Sequence, residues 1–394
     1  MSAISATLLA VPVDFAIARA RIRFSHHVLV ALRDGAESGV GEGVLYHRTL
    51  AEVARLFERQ VRPALAAGLA EADPAAQEEW LARLAAEAPE LAYAADTALL
   101  DLRARREGQR LAALLGGIRR TRIPITEQLF IRAWPQAERE LREMLARGTT
   151  RLKLKIGLST AADLEAVRRV RALVGERVEL RVDANRAYAP EEAERLARGL
   201  ADLGVLALEE PLAGRDWAAL RRLREQTGLP VILDENVLSL ADLQAALDAR
   251  ALDVLNLKLT RVGGPRRALA YARLCAERGV EVAVGCSEEL GVGMAAILHT
   301  AAALPALHSV EGVGPLRLGF DVTDHPWRLA AGALELPAGA GLGVALAPDW
   351  RGRLGRGVRV FAVPGGARLA AYSALARAYQ RATNLLWRLK ARGG

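Results

Sequence analysis

Three of the four lysines in this chain lie in two short apolar segments, although the chain also contains fifty arginines. Lys153 and Lys155 alternate with leucine and isoleucine over residues 151–156, and Lys258 ends the segment 254–258. Codon bias towards arginine explains the imbalance but not the places where lysine is kept. An arginine stays protonated at any working pH, whereas a lysine in a dry pocket can lose its proton and act as a base. Lysines kept among apolar strand residues therefore indicate proton chemistry.

Acidic residues follow three further apolar segments of the same kind. They are Asp183, Glu209 and Asp234, in the contexts Asp-Ala-Asn, Glu-Glu-Pro and Asp-Glu-Asn. Three carboxylates brought together would repel one another strongly unless a cation lay between them. Oxygen ligands with room left for water and substrate suit Mg²⁺ or Mn²⁺ better than Zn²⁺, which prefers histidine or cysteine. The pattern therefore predicts a magnesium or manganese site.

The lysines and the acids are predicted to converge because each lies at or near the end of a strand. In a parallel barrel, the carboxyl ends of all strands face the same mouth. Lys155 and Lys258 would come from opposite sides of the metal, so a bound molecule could lie between two ammonium groups. Nearby positive charge and desolvation should lower the pKa of both lysines. A single acid after a strand is often only a helix cap, but six positions on five successive strand ends favour a joint function.

The elements that would hold these residues alternate regularly from about residue 120 to 320. Short apolar, β-branched runs give way to helical stretches rich in Ala, Leu, Arg and Glu. The eight strand candidates are residues 123–127, 152–156, 178–182, 205–208, 231–233, 254–257, 280–284 and 308–310. They begin roughly 25 to 30 residues apart, the length of a repeated strand–helix unit. This spacing predicts a closed parallel barrel; the alternative, an open doubly wound sheet, lacks a glycine-rich dinucleotide fingerprint.

The first 120 residues follow a different pattern. Strands are predicted over residues 16–23 and 28–33, and helices over 51–66 and 92–107. This order indicates an α+β unit rather than more of the barrel.

The end of the chain carries two more predicted strands and a helix. The strands, residues 333–336 and 343–346, could return to pack on the N-terminal unit. The helix is predicted over residues 367–392. A packing or subunit-contact role is favoured over a membrane-surface role, because its apolar positions are mostly small alanines.

Composition favours a packed protein in a reducing compartment. The 394 residues are 52% hydrophobic and 25% charged, enough for a large α/β domain and a smaller companion. The net charge of +8 does not indicate nucleic acid, because the arginines are scattered among acids and aromatic residues make up only 5%. Cys275 and Cys286 cannot form a disulfide framework. Without a signal peptide or a membrane-spanning run, we expect a cytoplasmic protein with no nucleic-acid or membrane partner.

These motifs resemble the muconate-lactonizing-enzyme subgroup of the enolase superfamily, over about residues 10 to 350. The motifs that carry the resemblance are Lys153-x-Lys155, Asp183-x-Asn185, Glu209-Glu210-Pro211, Asp234-Glu235, Lys258, Gly285-Cys286 with Glu289, Gly41-Glu42-Gly43 and the segments 99–102 and 114–117. The resemblance implies an α/β fold, a modified (β/α)7β barrel of the TIM type with an α+β capping domain. The implied domains are residues 1–120 (capping domain), 121–325 (barrel) and 326–394 (a segment returning to the capping domain, plus a basic helical tail).

The resemblance also implies a role for each matching residue. Asp183, Glu209 and Asp234 would bind Mg²⁺, with Mn²⁺ possible in its place, and Lys155 and Lys258 would be the acid/base catalysts on opposite faces of the substrate. The other implied site residues fall into two sets: Lys153, Arg19, Glu289 and Glu311 for substrate binding, and Asn185, Glu210 and Glu235 around the metal and the lysines. Specificity would come from the segment near residues 14–27, where Arg21 and Arg23 accompany Arg19.

The shared reaction step would remove a proton α to a carboxylate in a small-molecule substrate. Return of a proton from the opposite face gives racemisation or epimerisation, which we favour for an amino-acid derivative because both lysines are present. Muconate-type cycloisomerisation and dehydration, as in o-succinylbenzoate synthesis, remain the alternatives. A metal-binding scaffold without turnover is the alternative from another class. The resemblance further implies a homo-oligomer.

Overall fold

The chain opens with three long antiparallel strands in the computed structural model, which describes the backbone of residues 3–392 and the side chains of residues 3–389. These strands are β1 (Ala3–Ile17), β2 (Ala20–Asp34) and β3 (Glu37–Leu45). β1 and β2 form a hairpin that pairs from Ala3↔Arg33 to Ile17↔Ala20. The predicted strand over residues 16–23 is therefore wrong, because the two-residue turn at 18–19 lies inside it.

Helices cover one face of this sheet. They are α1 (Leu50–Leu56), a π-helical turn (Phe57–Val61), α2 (Arg62–Ala66), a 3₁₀ turn (Leu69–Glu71), α3 (Pro74–Glu87), α4 (Pro89–Arg106) and α5 (Leu111–Leu114). β3 packs directly on α4 through Gly39, Gly41 and Gly43, where any Cβ atom would collide with a carbonyl oxygen of the helix. The glycines thus allow the sheet and the helix to approach closely.

Eight parallel strands follow and close into a barrel. The strands are β4 (Arg122–Leu129), β5 (Arg151–Lys155), β6 (Glu179–Asp183), β7 (Leu208–Glu209), β8 (Val231–Leu233), β9 (Val254–Lys258), β10 (Glu281–Gly285) and β11 (Leu307–Glu311). Each pairs in parallel with the next, and β11 pairs with β4 through Val310↔Ile125. The predicted closed parallel barrel is confirmed. The fourth barrel strand, β7, is shorter than the predicted strand over residues 205–208. Residues 206 and 207 hydrogen-bond to β6 but lie outside β7 itself.

The helices that follow these strands pack around the barrel. They are α6 (Trp134–Ala146), α7 (Thr160–Val174), α8 (Pro190–Ala201), α9 (Trp217–Thr227), α10 (Leu240–Asp248), α11 (Leu259–Val262), α12 (Pro265–Glu277), α13 (Gly291–Ala303) and α14 (Gly314–Leu318). Their apolar stripes and the strand side chains form one continuous core, whereas the helices over the N-terminal sheet have a core of their own.

The last part of the chain returns to both units. β12 (Ala333–Glu335) pairs antiparallel with the barrel strand β4, so the prediction that it packs on the N-terminal unit is wrong. Residues 343–346 form no strand, because the chain turns at Gly343. After a 3₁₀ turn (Trp350–Arg353), β13 (Arg359–Ala362) joins the edge of β1, and α15 (Gly366–Arg392) follows.

Within residues 3–392, no helix combines the length and the apolar character needed to cross a membrane.

Candidate active site

Five charged side chains lie at one mouth of the barrel. Lys155, Asp183, Glu209 and Lys258 are the last residues of β5, β6, β7 and β9, and Asp234 follows β8 directly. Lys155 is in register with Asp183, and Asp183 with Glu209. The three carboxylates are fully buried. The parallel order of the strands therefore brings these residues together, as the sequence pattern predicts.

The two predicted bases contact different carboxylates. Lys155 donates to Asp183 over 2.5 Å, and Lys258 donates to Asp234 over 2.7 Å. Arg261 also donates to the backbone and side chain of Asp234. β7, which carries Glu209, lies between the strands that hold the two pairs. The mouth thus has two separate lysine–carboxylate pairs on its two sides.

Lys153 lies deeper in the barrel and joins two acids. Its ammonium group donates to both oxygens of Glu209, over 2.9 and 3.0 Å, and to Glu311 over 2.7 Å. Asn256 donates to the same two acids, and Arg181 pairs with Glu311. Lys153 and Glu311, both predicted to bind substrate, are therefore bonded to each other in the structure.

The pKa values of the three carboxyl groups are driven apart. Burial alone would raise the pKa of Asp183, but Lys155 and Lys153 outweigh it and lower the pKa to about 2. Arg261 and Lys258 likewise outweigh burial and lower the pKa of Asp234. Glu209 differs, because burial and repulsion from Glu311 raise its pKa to about 8. Carboxylates this crowded favour a cation among them.

The expectation that the pKa of Lys258 is lowered is not met in this arrangement. Burial does act to lower the pKa of Lys258, but Asp234 outweighs it and the pKa lies well above the usual lysine value. The pKa of Lys153 is also raised, because Glu209 and Glu311 outweigh its burial. The prediction considered the positive charge of the metal and the burial of the lysines. It neglected the acids that contact the ammonium groups directly.

A hard divalent cation fits the donor chemistry of this mouth, which offers buried carboxylate oxygens on three adjacent strands. Each carboxylate, however, is hydrogen-bonded to an ammonium group; the pairs are Lys155–Asp183, Lys153–Glu209 and Lys258–Asp234. Within residues 3–392, no three His, Cys, Asp or Glu side chains lie close enough together to hold a metal ion as they stand. A bound cation would have to replace some of these ammonium hydrogen bonds.

Two of the three residues predicted around the metal and the lysines, Asn185 and Glu210, lie on strained turns at the strand ends. Asn185 donates to Glu235 over 2.7 Å and to Asp183 over 3.3 Å, and Glu210 accepts the backbone N–H of Asp234 over 2.6 Å. Asn185 and Glu210 have φ angles of 42° and 44°, which non-glycine residues rarely adopt. Such backbone strain clusters at functional sites.

Two glutamates follow β10 and point in different directions. Glu288, with a φ of 65°, faces Arg317 at 3.3 Å. Glu289 accepts hydrogen bonds from Cys286 Sγ and from the Ser287 N–H, and burial raises its pKa to about 7. The predicted contact of Glu289 with substrate stays a prediction.

The hairpin between β1 and β2 extends over the mouth. Arg19, at its tip, is exposed and donates to the carbonyl oxygen of Arg186. Arg21 and Arg23 form ion pairs with Asp14, at 2.8 and 2.5 Å. Of the three arginines predicted near the substrate, Arg19 thus lies closest to the site residues, and its role in binding stays a prediction.

Several further residues contact the site without having been predicted from the sequence. Arg181 and Asn256 lie two positions before Asp183 and Lys258, so strand alternation could have placed them on the inward face. Tyr46 has no such signal. It follows β3 and hydrogen-bonds to Ser287 over 2.5 Å, and the centre of its ring lies 6.0 Å from the Lys258 ammonium group.

Models of two domain families match this chain. Residues 3–116 match the mandelate racemase/muconate lactonizing enzyme N-terminal domain, and residues 136–350 match the enolase C-terminal domain-like family.

Relatives of two activities are similar to the chain. A chloromuconate cycloisomerase of Pseudomonas sp. (strain P51) is 32% identical over 364 residues, which cover 89% of this chain and 97% of the relative. An L-Ala-D/L-Glu epimerase of Clostridium acetobutylicum is 31% identical over 230 residues, 58% of this chain and 64% of the relative. Among solved structures, the muconate lactonizing enzyme of Pseudomonas fluorescens complexed with muconolactone has a TM-score of 0.80 at 25% identity, covering 89% of this chain and 97% of that one.

Proposed function

The chain belongs to the muconate-lactonizing-enzyme subgroup of the enolase superfamily, and we propose that this enzyme racemises or epimerises a small amino-acid derivative. One observation carries the proposal: the buried Lys155 and the largely buried Lys258 lie on separate strands of one mouth, each against its own carboxylate. Two amines on different sides of a cleft can serve opposite faces of a carbon bound between them.

The reaction needs one amine to take a proton and the other to return one. In its neutral form Lys258 would accept the α-proton at Nζ, and the Lys155 ammonium group would deliver a proton to the other face, with the roles exchanged for the mirror-image substrate. Asp234 and Arg261 would orient Lys258, since both belong to its hydrogen-bonded cluster. Because the two lysines act in sequence, the loss of either should block inversion.

Asp183, Glu209 and Asp234 would hold a divalent cation, which we propose to be Mg²⁺ because the donors are all carboxylate oxygens. Bound there, it would supply positive charge to offset the negative charge that develops on the substrate as the α-proton leaves. The proton itself would be moved by the lysines alone.

The bonding of Glu311 supports an N-acyl amino acid rather than a dipeptide. A free ammonium group on the substrate would need an available carboxylate. Glu311 is instead engaged by Lys153 and Asn256 and pairs with Arg181. An acyl group carries no charge at this position and needs no such partner. If the substrate carries a second carboxylate far from the reacting carbon, Arg19 at the hairpin tip could bind it.

A second candidate is muconate-type cycloisomerisation. The match to a chloromuconate cycloisomerase favours it, since that alignment spans 97% of the relative's length. Addition to a double bond would use a single lysine as the acid, so the two candidates differ in whether both amines are needed. Dehydration, as in o-succinylbenzoate synthesis, is the remaining alternative.

Incubation in D₂O separates these candidates. With Mg²⁺ present, we expect mass spectrometry to show α-deuterium uptake in at least one member of a pool of N-acyl amino acids and dipeptides, with N-acyl compounds preferred. Loss of ultraviolet absorbance from muconate or chloromuconate, without exchange in the pool, would instead establish the cycloisomerase. Absence of any turnover with both sets would contradict the proposed function.

A further inference from the structure

The C-terminal helix α15 lies outside the part of the chain that the family shares. The match to the enolase C-terminal domain-like family ends at residue 350, and the cycloisomerase relative aligns over 97% of its own length but only 89% of this chain. The added helix runs beside β2 of the N-terminal hairpin rather than away from the protein.

α15 covers a strand edge that β3 leaves open. The β2–β3 pairing ends at His26, whereas β2 begins six residues earlier, at Ala20. Along this stretch, side-chain amides of α15 take the place of a neighbouring strand. Asn384 accepts the N–H of Arg21 over 3.2 Å. Gln380 accepts the N–H of Arg23 over 3.3 Å and donates to the carbonyl of Arg21 over 2.5 Å.

The same helix reaches the tip of the hairpin. Trp387 donates its indole N–H to the carbonyl of Ile17 over 3.1 Å, and Arg388 donates to the carbonyl of Arg19 over 3.2 Å. Backbone groups of this kind need a partner wherever water is excluded. The second half of α15 therefore bonds to the hairpin on both sides of its turn.

The opposite side of the tip contacts the loops of the barrel mouth. The N–H of Ile131, after β4, donates to the carbonyl of Ala16 over 3.0 Å. Ala18 lies so close to Gly157, two residues after Lys155, that a Cβ there would collide with it. Arg19 donates to the Arg186 carbonyl, beyond Asp183. The tip is thus held between α15 and the strand ends that carry the site.

We propose that α15 holds the hairpin tip against the barrel mouth, and that Gln380 and Asn384 are positioning residues that set substrate affinity from outside the site. The affinity part rests on the proposed function; the holding part rests on the contacts alone. Without these two amides, the tip keeps its contacts with the mouth but loses its support from behind, so it should open more often.

The test compares Gln380→Ala/Asn384→Ala with Leu385→Ala/Leu386→Ala. Both double variants lie on the same turns of α15, but Leu385 and Leu386 are 61% exposed on the outward face. Alanine is the best helix former, so neither variant should melt the helix.

The first measurement is amide hydrogen exchange at Arg21, Arg23 and Ile131. We expect exchange at the two arginines to become at least about tenfold faster in the amide variant, from the loss of their hydrogen bonds. Ile131 lies on the far side of the tip and should also exchange faster. The leucine variant should leave all three unchanged. Unchanged exchange at Ile131, or equal effects in both variants, would overturn the proposal.

The second measurement is α-deuterium exchange with the pool member that the wild-type protein exchanges fastest. We expect the amide variant to raise KM about tenfold with kcat within about twofold, since the lysines are untouched. A fall in kcat with unchanged KM would overturn the positioning role. If no pool member exchanges with the wild type, the proposed function fails, while the amide-exchange result still decides whether α15 holds the tip.

Discussion

The barrel mouth and the junction between the N-terminal sheet and the barrel both bury acidic side chains, but with different partners. At the mouth, Asp183 and Asp234 accept hydrogen bonds from lysine side chains. At the junction, Glu42 and Asp101 accept them mainly from backbone N–H groups. A side-chain partner can move when a ligand arrives, whereas a backbone partner cannot move without disrupting its element. The kind of partner, rather than burial itself, separates a site from a structural contact.

Several such backbone contacts hold the junction, although Glu42 and Asp101 also pair with the side chains of His27 and Arg105. Glu42 on β3 accepts two N–H groups at the start of α13, each over 2.8 Å. Asp101 on α4 accepts the N–H of Val40 over 3.0 Å and of Leu342 over 2.7 Å. His299 accepts from Ala112 and hydrogen-bonds the Leu342 carbonyl. These contacts fix the N-terminal sheet over the barrel and so position Tyr46 and the hairpin above the mouth.

The largest effect is expected from removing a carboxylate at the mouth. Asp234→Asn leaves the largely buried Lys258 and Arg261 without their counter-charge, which should cost about 4 kcal/mol of unfolding free energy in EDTA. Urea denaturation measures it. Lys258→Met is the matched control, because Asp234 keeps Arg261 as a partner and the loss should be about 1 kcal/mol. In the structure, Asp234 balances the charges of both Lys258 and Arg261. Equal losses of stability in the two variants would contradict this arrangement.

An intermediate effect is expected at the junction on acidification. Burial lowers the pKa of His299 to about 4, so it stays neutral in the folded protein while the unfolded chain takes up a proton below about pH 6.5. The neutral His299 therefore contributes to the free energy of unfolding above pH 6.5. This contribution falls by about 3 kcal/mol as the pH falls towards 4.

The variant His299→Gln isolates this contribution. Its stability deficit relative to the wild type should shrink between pH 6.5 and 4, as followed by urea denaturation at each pH. Asp101, whose pKa burial raises to about 6, is present in both proteins and cancels from the difference. A deficit that stays constant with pH would show that His299 is not held neutral by the junction.

The smallest effect is expected from Glu42→Gln. One amide oxygen replaces two carboxylate oxygens that accept from the start of α13 and from His27, so about 2 kcal/mol of stability should be lost. Turnover per folded molecule should not change, because Glu42 contacts backbone rather than substrate. Glu281→Gln, at an exposed residue, is the control for the change of charge. A large loss of turnover in folded Glu42→Gln protein would place this acid with the site instead.

The barrel and the strand-end residues could be predicted because their signals are local. Each strand is a short apolar run, and in each helix the apolar residues recur with the helical period. The parallel order of the strands then brings Asp183, Glu209 and Asp234 to one mouth. The same argument places Lys155 and Lys258 on the two sides. Assignment of the metal ligands and the bases remains a prediction, because it concerns a loaded site.

What could not be predicted depends on how separate elements dock. Nothing in the local sequence shows that Lys153 bonds to Glu311, 158 residues away, or that Gln380 supports Arg21. The predicted strand over residues 16–23 failed because alternation continues through the turn and hides it. The pKa of Lys258 was predicted in the wrong direction because it depends on which carboxylate its ammonium group contacts.

The most direct test of the account follows each lysine separately. Lys155→Met and Lys258→Met would each be given both enantiomers of the N-acyl amino acid that the wild type exchanges fastest, in D₂O with Mg²⁺. Because the lysines lie on opposite sides of the mouth, each variant should still exchange the α-hydrogen of one enantiomer, a different one in each case, and should invert neither. Loss of exchange for both enantiomers in one variant and for neither in the other would contradict two-sided proton transfer.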